Sequence, residues 1–81
     1  MKFIEFAEET IAFPGEYLFH EPSRQIVMCG AFNRERNEIK ALASGRLLTD
    51  SIDKFKKLKL QSGENLQLTA IILEDQEDNF A

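Results

Sequence analysis

The alternation of apolar and polar residues predicts β-strands over most of the chain. Residues 25–32 carry the strongest signal, because a run of β-branched and apolar side chains lies between turn residues on both sides. Gly30 interrupts this run, which indicates a bulge or a close approach of another backbone. Residues 33–37 are wholly polar and predict the loop of a hairpin.

Two further strands are predicted on either side of this hairpin. Residues 16–20 are rich in aromatic side chains and follow the turn pair Pro14-Gly15. Residues 66–73 alternate apolar and polar side chains after a turn at 62–65. Both patterns are typical of β-strands.

Residues 2–13 fit two structures. Phe3, Phe6 and Ala7 recur at helical spacing, and glutamates lie near the start, where the helix dipole favours acidic side chains. As a strand the segment alternates poorly beyond Phe6, although its last residues are compatible with one. We favour a short helix that ends before Pro14, because proline cannot continue a helix.

Residues 38–48 are also ambiguous. The alternation of Ile39, Ala41 and Ala43 with more polar neighbours fits a hairpin partner for the strand at 25–32. The helical alternative would have barely two turns, which is marginal. We favour the strand, with a bulge at Gly45.

One helix is predicted at residues 50–58, after Thr49-Asp50 as a cap, because Ile52, Phe55 and Leu58 are spaced three apart. Residues 74–81 are acidic and polar and predict a frayed tail after a single domain at 1–73. The expected fold class is α+β and mostly β. It is a small curled antiparallel sheet or barrel of four to five strands with one or two short helices.

The composition of the chain limits the number of domains and the cellular compartment that we expect. The chain of 81 residues has room for one core and contains one cysteine, so an intramolecular disulfide is excluded. Small secreted domains usually depend on several disulfides, and their absence favours a reducing compartment. The apolar runs are too short to cross a bilayer, and the N-terminus lacks the apolar stretch of a signal peptide. A cytoplasmic protein without membrane contact is expected.

Charge is segregated along the chain although the net charge is only −4. Residues 1–23 and 60–81 are strongly acidic, whereas residues 24–59 carry nine Lys or Arg and four Asp or Glu. The chain is therefore acidic, basic and acidic in turn. This pattern is the most unusual feature of the sequence and provides its main functional candidates.

No residue pattern indicates catalysis, and we expect no enzyme activity, cofactor, metal or small-molecule substrate. Cys29 lies in an apolar strand, where a buried structural thiol is expected, and His20 is interpreted as a lone surface histidine. Glu8 and Glu9 are adjacent and so do not face each other. The acidic segment 74–78 lacks the glycine and the distant glutamate of a calcium loop.

The function expected first is a protein-interaction or accessory module that associates with itself as a homo-oligomer. A small sheet has edges that must be covered, and the segregated charges are complementary between copies. In this hypothesis Arg34, Arg36, Lys56 and Lys57 contact acids, and residues 66–73 or a Phe3/Phe6 face supply apolar area. The candidate contact residues are Arg34, Arg36, Arg46, Lys54, Lys56, Lys57 and Lys59.

The alternative is a nucleic-acid-binding module that uses the same basic segment, 34–59. Phosphate backbones attract such residues, and Tyr17, Phe19 and Phe32 are the candidates for stacking on bases. A sequence pI near 4.9 disfavours this alternative, because dedicated nucleic-acid binders are usually basic as a whole.

Overall fold

The computed structural model describes residues 1–60, which form one antiparallel sheet of six strands and one 3-10 turn. The strands lie in the order β1-β6-β2-β3-β4-β5. The elements are β1 (Lys2–Glu5), β2 (Tyr17–His20), β3 (Gln25–Asn33), β4 (Glu38–Ala43), β5 (Arg46–Ser51), the 3-10 turn (Ile52–Lys54) and β6 (Phe55–Lys59). The mostly β, antiparallel prediction is confirmed, whereas the expected number of four to five strands is too low.

The central hairpins agree with the sequence pattern. β2, β3 and β4 coincide with predicted strands, and β3 and β4 are joined by a turn within 33–37. The register between β3 and β4 shifts between Cys29 and Ala31, which confirms the irregularity predicted at Gly30. A Cβ atom at Gly30 would lie 3.3 Å from the carbonyl oxygen of Lys40, so the close backbone approach favours glycine there.

The bulge predicted at Gly45 is wrong. Ser44 and Gly45 form a two-residue turn between β4 and β5, in which Ala43 pairs with Arg46. Both turn residues have positive φ, 51° at Ser44 and 78° at Gly45, as in a type I′ turn. This turn allows β5 to run back along the whole of β4.

The helix predicted at residues 50–58 is also wrong. Only Ile52–Lys54 turn, as 3-10 helix, and the backbone is extended again at Phe55. The following strand, β6, pairs with β1 on one side and β2 on the other. A helix would leave both of those edges unpaired, so tertiary pairing prevails over the local spacing of apolar residues.

The helix favoured at residues 2–13 is wrong for the same reason. Residues 2–5 form the edge strand β1, which pairs with β6 from Lys2–Lys59 to Glu5–Lys56. Residues 6–16 form an irregular segment, which we call the crossing loop. This loop inserts Ala12, which is 2% exposed, into the core.

The sheet is curled around one core. β2 and β5 are separated by two strands, a distance of about 14 Å in a flat sheet, yet His20 and Asp50 are hydrogen-bonded across it. The concave face, together with the crossing loop and the 3-10 turn, supplies the apolar residues of the buried core cluster. These are Ala12, Leu18, Val27, Cys29, Ile39, Ala41, Ile52 and Phe55.

Four of the predictions fall on residues that the structure does not describe. They are the turn at 62–65, the strand at 66–73, the end of the domain at residue 73 and the acidic tail at 74–81.

Candidate interaction surface

The convex side of the sheet carries a set of apolar side chains that we call the outer face. Residues paired across a ladder point to the same side of a sheet, so Tyr17, Met28, Leu42 and Leu47 form one row across four strands. A second group lies beside that row on the other strands. The outer face is defined by its large apolar side chains, which are Phe3, Tyr17, Phe19, Ile26, Met28, Leu42, Leu47 and Leu58.

Much of the outer face is accessible to solvent. Leu47 is 72% exposed, Tyr17 is 47% exposed and Leu42 is 42% exposed. Phe3 stacks on Phe19 with ring centroids 4.3 Å apart, and Phe19 is buried to 6% exposure. An exposed row of large apolar side chains is typical of a surface that contacts another molecule.

The sequence holds a signal for this surface in its unbroken apolar runs. Residues 17–19 and 26–29 are apolar at consecutive positions, so both faces of β2 and β3 are apolar. Strands with one solvated face alternate apolar and polar residues, whereas strands covered on both faces do not. The runs therefore indicate a second apolar face, which alternation alone did not reveal.

The outer-face row ends at β5, an open edge among the described strands. Across the two-residue turn, Ala43 and Arg46 form a hydrogen-bonded pair, and such pairs recur at every second residue. The amide of Ile52 bonds to the carbonyl of Asn37 at 3.2 Å, as this alternation requires. The backbone groups of Leu47 and Thr49 therefore point away from the sheet.

Three of the seven candidate basic residues hold the crossing loop or a neighbouring turn. Arg34 donates to the carbonyl oxygens of Ala7 and Thr10 and lies over the ring of Phe32, 5.1 Å from its centroid. The other two are lysines on β6. Lys57 pairs with Glu16 at 2.9 Å and donates to Ile11 O at 3.0 Å, and Lys56 pairs with Glu21 at 2.9 Å.

The basic candidates do not share one surface. Arg36 lies in the turn at one end of β4 and Arg46 at the other end. Six residues of strand place these ends about 20 Å apart. Lys54 lies in the 3-10 turn. Lys59 is the last residue of β6, where it pairs with Lys2 on the concave side of the sheet.

The aromatic candidates are also dispersed. Tyr17 lies exposed on the outer face, Phe19 is buried beneath Phe3, and Phe32 packs against the core on the concave side. Phe6 stacks on Phe32 with a centroid separation of 6.2 Å. Phe3 and Phe6 therefore belong to opposite sides of the sheet and form no common face.

The interpretation of His20 as a surface residue is wrong, because it is 4% exposed. Its Nε2 lies 2.9 Å from Asp50 Oδ2, and its Nδ1 lies 2.6 Å from Ser23 Oγ. A carboxylate only accepts, so Nε2–H donates to Asp50, and in the neutral ring Nδ1 accepts from the Ser23 hydroxyl. The ring also packs 4.9 Å from that of Phe55. No residue pattern in the sequence signals this cluster.

This serine, histidine and aspartate set acts as a link between β2 and β5. Nucleophilic catalysis would also need amide donors beside the serine to stabilise an oxyanion. The amide that follows Ser23, that of Arg24, instead bonds to Glu21 O at 3.2 Å. The hydrogen bond from His20 holds the pKa of Asp50 below its ordinary range, and the Ser51 amide acts in the same direction.

The prediction that Cys29 is buried is confirmed, since it is 1% exposed. Burial raises the pKa of its thiol, and the negative charge of Glu16 raises it further. Both effects disfavour the reactive thiolate.

Comparison of the chain with known proteins identifies no relative. No family model, curated protein or solved structure matches the chain. Among residues 1–60, no helix has the length and apolar character that spanning a membrane requires. Within the same part of the chain, no three His, Cys, Asp or Glu side chains are grouped as ligands for a metal ion.

Proposed function

We propose that this domain is a non-catalytic protein-interaction module that associates with a second copy of itself. One observation carries the proposal: the row Tyr17, Met28, Leu42 and Leu47 crosses four strands on the outer face and ends at β5, an open edge of the sheet formed by residues 1–60. Leu47, at the end of the row, is 72% exposed. Such a surface favours a second copy whose strand pairs with the edge backbone and brings its own apolar row alongside this one.

The surface differs from the one that charge alone suggested. Arg34, Lys56 and Lys57 are engaged within the chain, so they are poor candidates for contacts with acids of another copy. Arg46 lies on β5 beside Leu47 and is exposed. It is therefore the basic candidate that we retain for the interface.

Nucleic-acid binding is supported less well. A single-strand groove combines adjacent cations with exposed aromatic rings. In residues 1–60 the candidate cations are dispersed, and Phe19 is too deeply buried to stack on a base. We therefore place this function second.

Sedimentation velocity over a range from low micromolar to submillimolar protein tests the proposal. The wild-type chain should shift from monomer to dimer as concentration rises. The variant Leu47→Lys should remain monomeric over that range, because a lysine on an edge strand discourages pairing with another chain and the apolar contact at the junction is lost.

Phe13→Lys is the matched control. Phe13 is 63% exposed and lies in the crossing loop and not on β5, so the same chemical change should leave the dimer intact. A wild-type chain that stays monomeric at every concentration contradicts the proposal. Equal weakening by both variants would mean that general solubility, and not this surface, controls association.

A further inference from the structure

We propose that the two copies join through antiparallel pairing of β5 with β5, with a two-fold axis at Leu48. This inference rests on the proposed self-association and specifies its geometry. The axis at Leu48 places Leu47 opposite Thr49 of the second copy, and Arg46 opposite Asp50 of the second copy. The sheet then continues from one copy into the other without a change of face.

The backbone favours this register. Leu47 and Thr49 are the residues of β5 whose amide and carbonyl groups point outward with no partner among residues 1–60. Ser51 also points outward, but its amide donates to Asp50 Oδ1 at 2.8 Å. Pairing Leu47 with Thr49 of the second copy lets both residues exchange their hydrogen bonds.

The side chains favour the same register. Pairing about a two-fold axis normal to the sheet opposes residues of the same face, and Arg46, Leu48 and Asp50 share the concave face. A two-fold axis at Leu48 places each Arg46 opposite an Asp50. An axis at Leu47 or Thr49 does not. These opposed residues are at non-hydrogen-bonded positions, where side chains approach most closely.

Asp50 can accept this contact in addition to those it already makes. Its carboxylate is 33% exposed, and each of its oxygens holds one bond, to His20 and to the Ser51 amide. A carboxylate oxygen has two lone pairs, so one position on each remains. Arg46 is exposed and has no partner among the described residues.

The opposite edge, β1, does not offer a self-complementary arrangement. It is four residues long, and its charged residues Lys2 and Glu5 lie on opposite faces. Two-fold pairing keeps the faces separate, so these charges cannot oppose each other. Charged side chains at the ends of a short strand instead discourage pairing with other chains.

Cysteine crosslinking in the full chain tests the axis. Leu48→Cys places two thiols at a non-hydrogen-bonded pair with Cα atoms about 4.5 Å apart, within reach of a disulfide. Under mild oxidation with oxidised glutathione, this variant should form a covalent dimer. Leu47→Cys and Thr49→Cys should not, because their Cα atoms are more than about 7 Å from the same residue of the second copy.

Arg46→Glu provides a second measurement that does not depend on residue 48. It converts both Arg46–Asp50 contacts into repulsion and should raise the dimer dissociation constant about tenfold. Arg36→Glu makes the same change of charge in the distant β3–β4 turn and should alter the constant less than about twofold.

The outcomes separate the two proposals. A chain that is monomeric in sedimentation at all concentrations overturns self-association itself. The β5 pairing alone is overturned by a chain that dimerises but gives two negative results. In that case Leu48→Cys crosslinks no better than Leu47→Cys and Thr49→Cys, and Arg46→Glu changes the dissociation constant no more than Arg36→Glu does. Wild-type protein serves as the background, since its one cysteine, Cys29, is buried.

Discussion

At the residue scale, the contact between His20 and Asp50 holds the curl of the sheet in place. It joins β2 to β5 across two intervening strands, and the buried ring has both nitrogens in hydrogen bonds. A buried polar ring is costly unless its polar atoms are paired. Asp50 and Ser23 together satisfy that requirement.

Asp50 gives the protein an acid-sensitive component of stability. Its pKa lies below the ordinary value of 3.8, chiefly because of the hydrogen bond from His20. A lowered carboxyl pKa stabilises the fold above the unfolded pKa, and this stabilisation is lost as pH falls through the folded pKa. Asp50→Asn should therefore lower the free energy of unfolding near pH 7 by about 1 kcal/mol, with the difference shrinking below about pH 4.

Urea unfolding as a function of pH measures this difference, in the Leu47→Lys background so that association does not contribute. Asp53→Asn is the control, because Asp53 is exposed in the 3-10 turn and the same change there should have little effect. A difference between the Asp50 variant and its parent that is constant from pH 7 to pH 3 would contradict the role given to this carboxylate.

At the element scale, two-residue turn geometry decides where β5 lies. Ser44 and Gly45 have positive φ, and only such a turn matches the twist of β4 and β5. Glycine adopts this conformation without steric cost, whereas serine does not. The register of β5, and with it the position of Leu47 and Arg46, depends on these two residues.

Gly45→Ala should lower the free energy of unfolding by about 1–2 kcal/mol, because a side chain at φ 78° clashes with its own backbone. Ser44→Asn should instead raise the free energy of unfolding by about a few tenths of a kcal/mol, because asparagine tolerates positive φ better than serine does. Urea midpoints at one fixed protein concentration measure both. Destabilisation by both substitutions would show that turn conformation is not the controlling factor.

At the scale of the whole molecule, charged side chains fasten the crossing loop over one side of the sheet, and the other side carries the apolar row of the outer face. Arg34 and Lys57 bind carbonyl oxygens of the loop, and Ala12 of the loop enters the core. Much of the basic segment is thus used internally. Part of the exposed apolar area lies on the outer face, in the row that ends at β5.

Because association would stabilise the folded state by mass action, the midpoint of thermal unfolding should rise with protein concentration. The wild-type chain should show this rise, whereas Leu47→Lys should unfold at the same temperature at every concentration. Calorimetry at several concentrations provides the measurement. A wild-type midpoint that is independent of concentration would be inconsistent with a folded dimer in this range.

Local patterns in the sequence determined the central strands. β2, β3 and β4 follow from apolar runs bounded by turn residues, the irregularity at Gly30 follows from its place inside a strand, and the burial of Cys29 follows from its apolar neighbours. These features depend on short-range chemistry, which is readable at each position. The unbroken apolar runs also indicated that both faces of β2 and β3 are apolar.

Only the tertiary structure decided that β1 and β6 are strands and that His20 is buried. Residues 2–5 and 55–59 have apolar spacings compatible with helices, but each forms a strand because the two pair with each other and residues 55–59 also pair with β2. The burial of His20 depends on Asp50, thirty residues away in the chain. Hydrogen bonding between distant segments outweighs local propensity, and such pairing cannot be read from spacing along the chain.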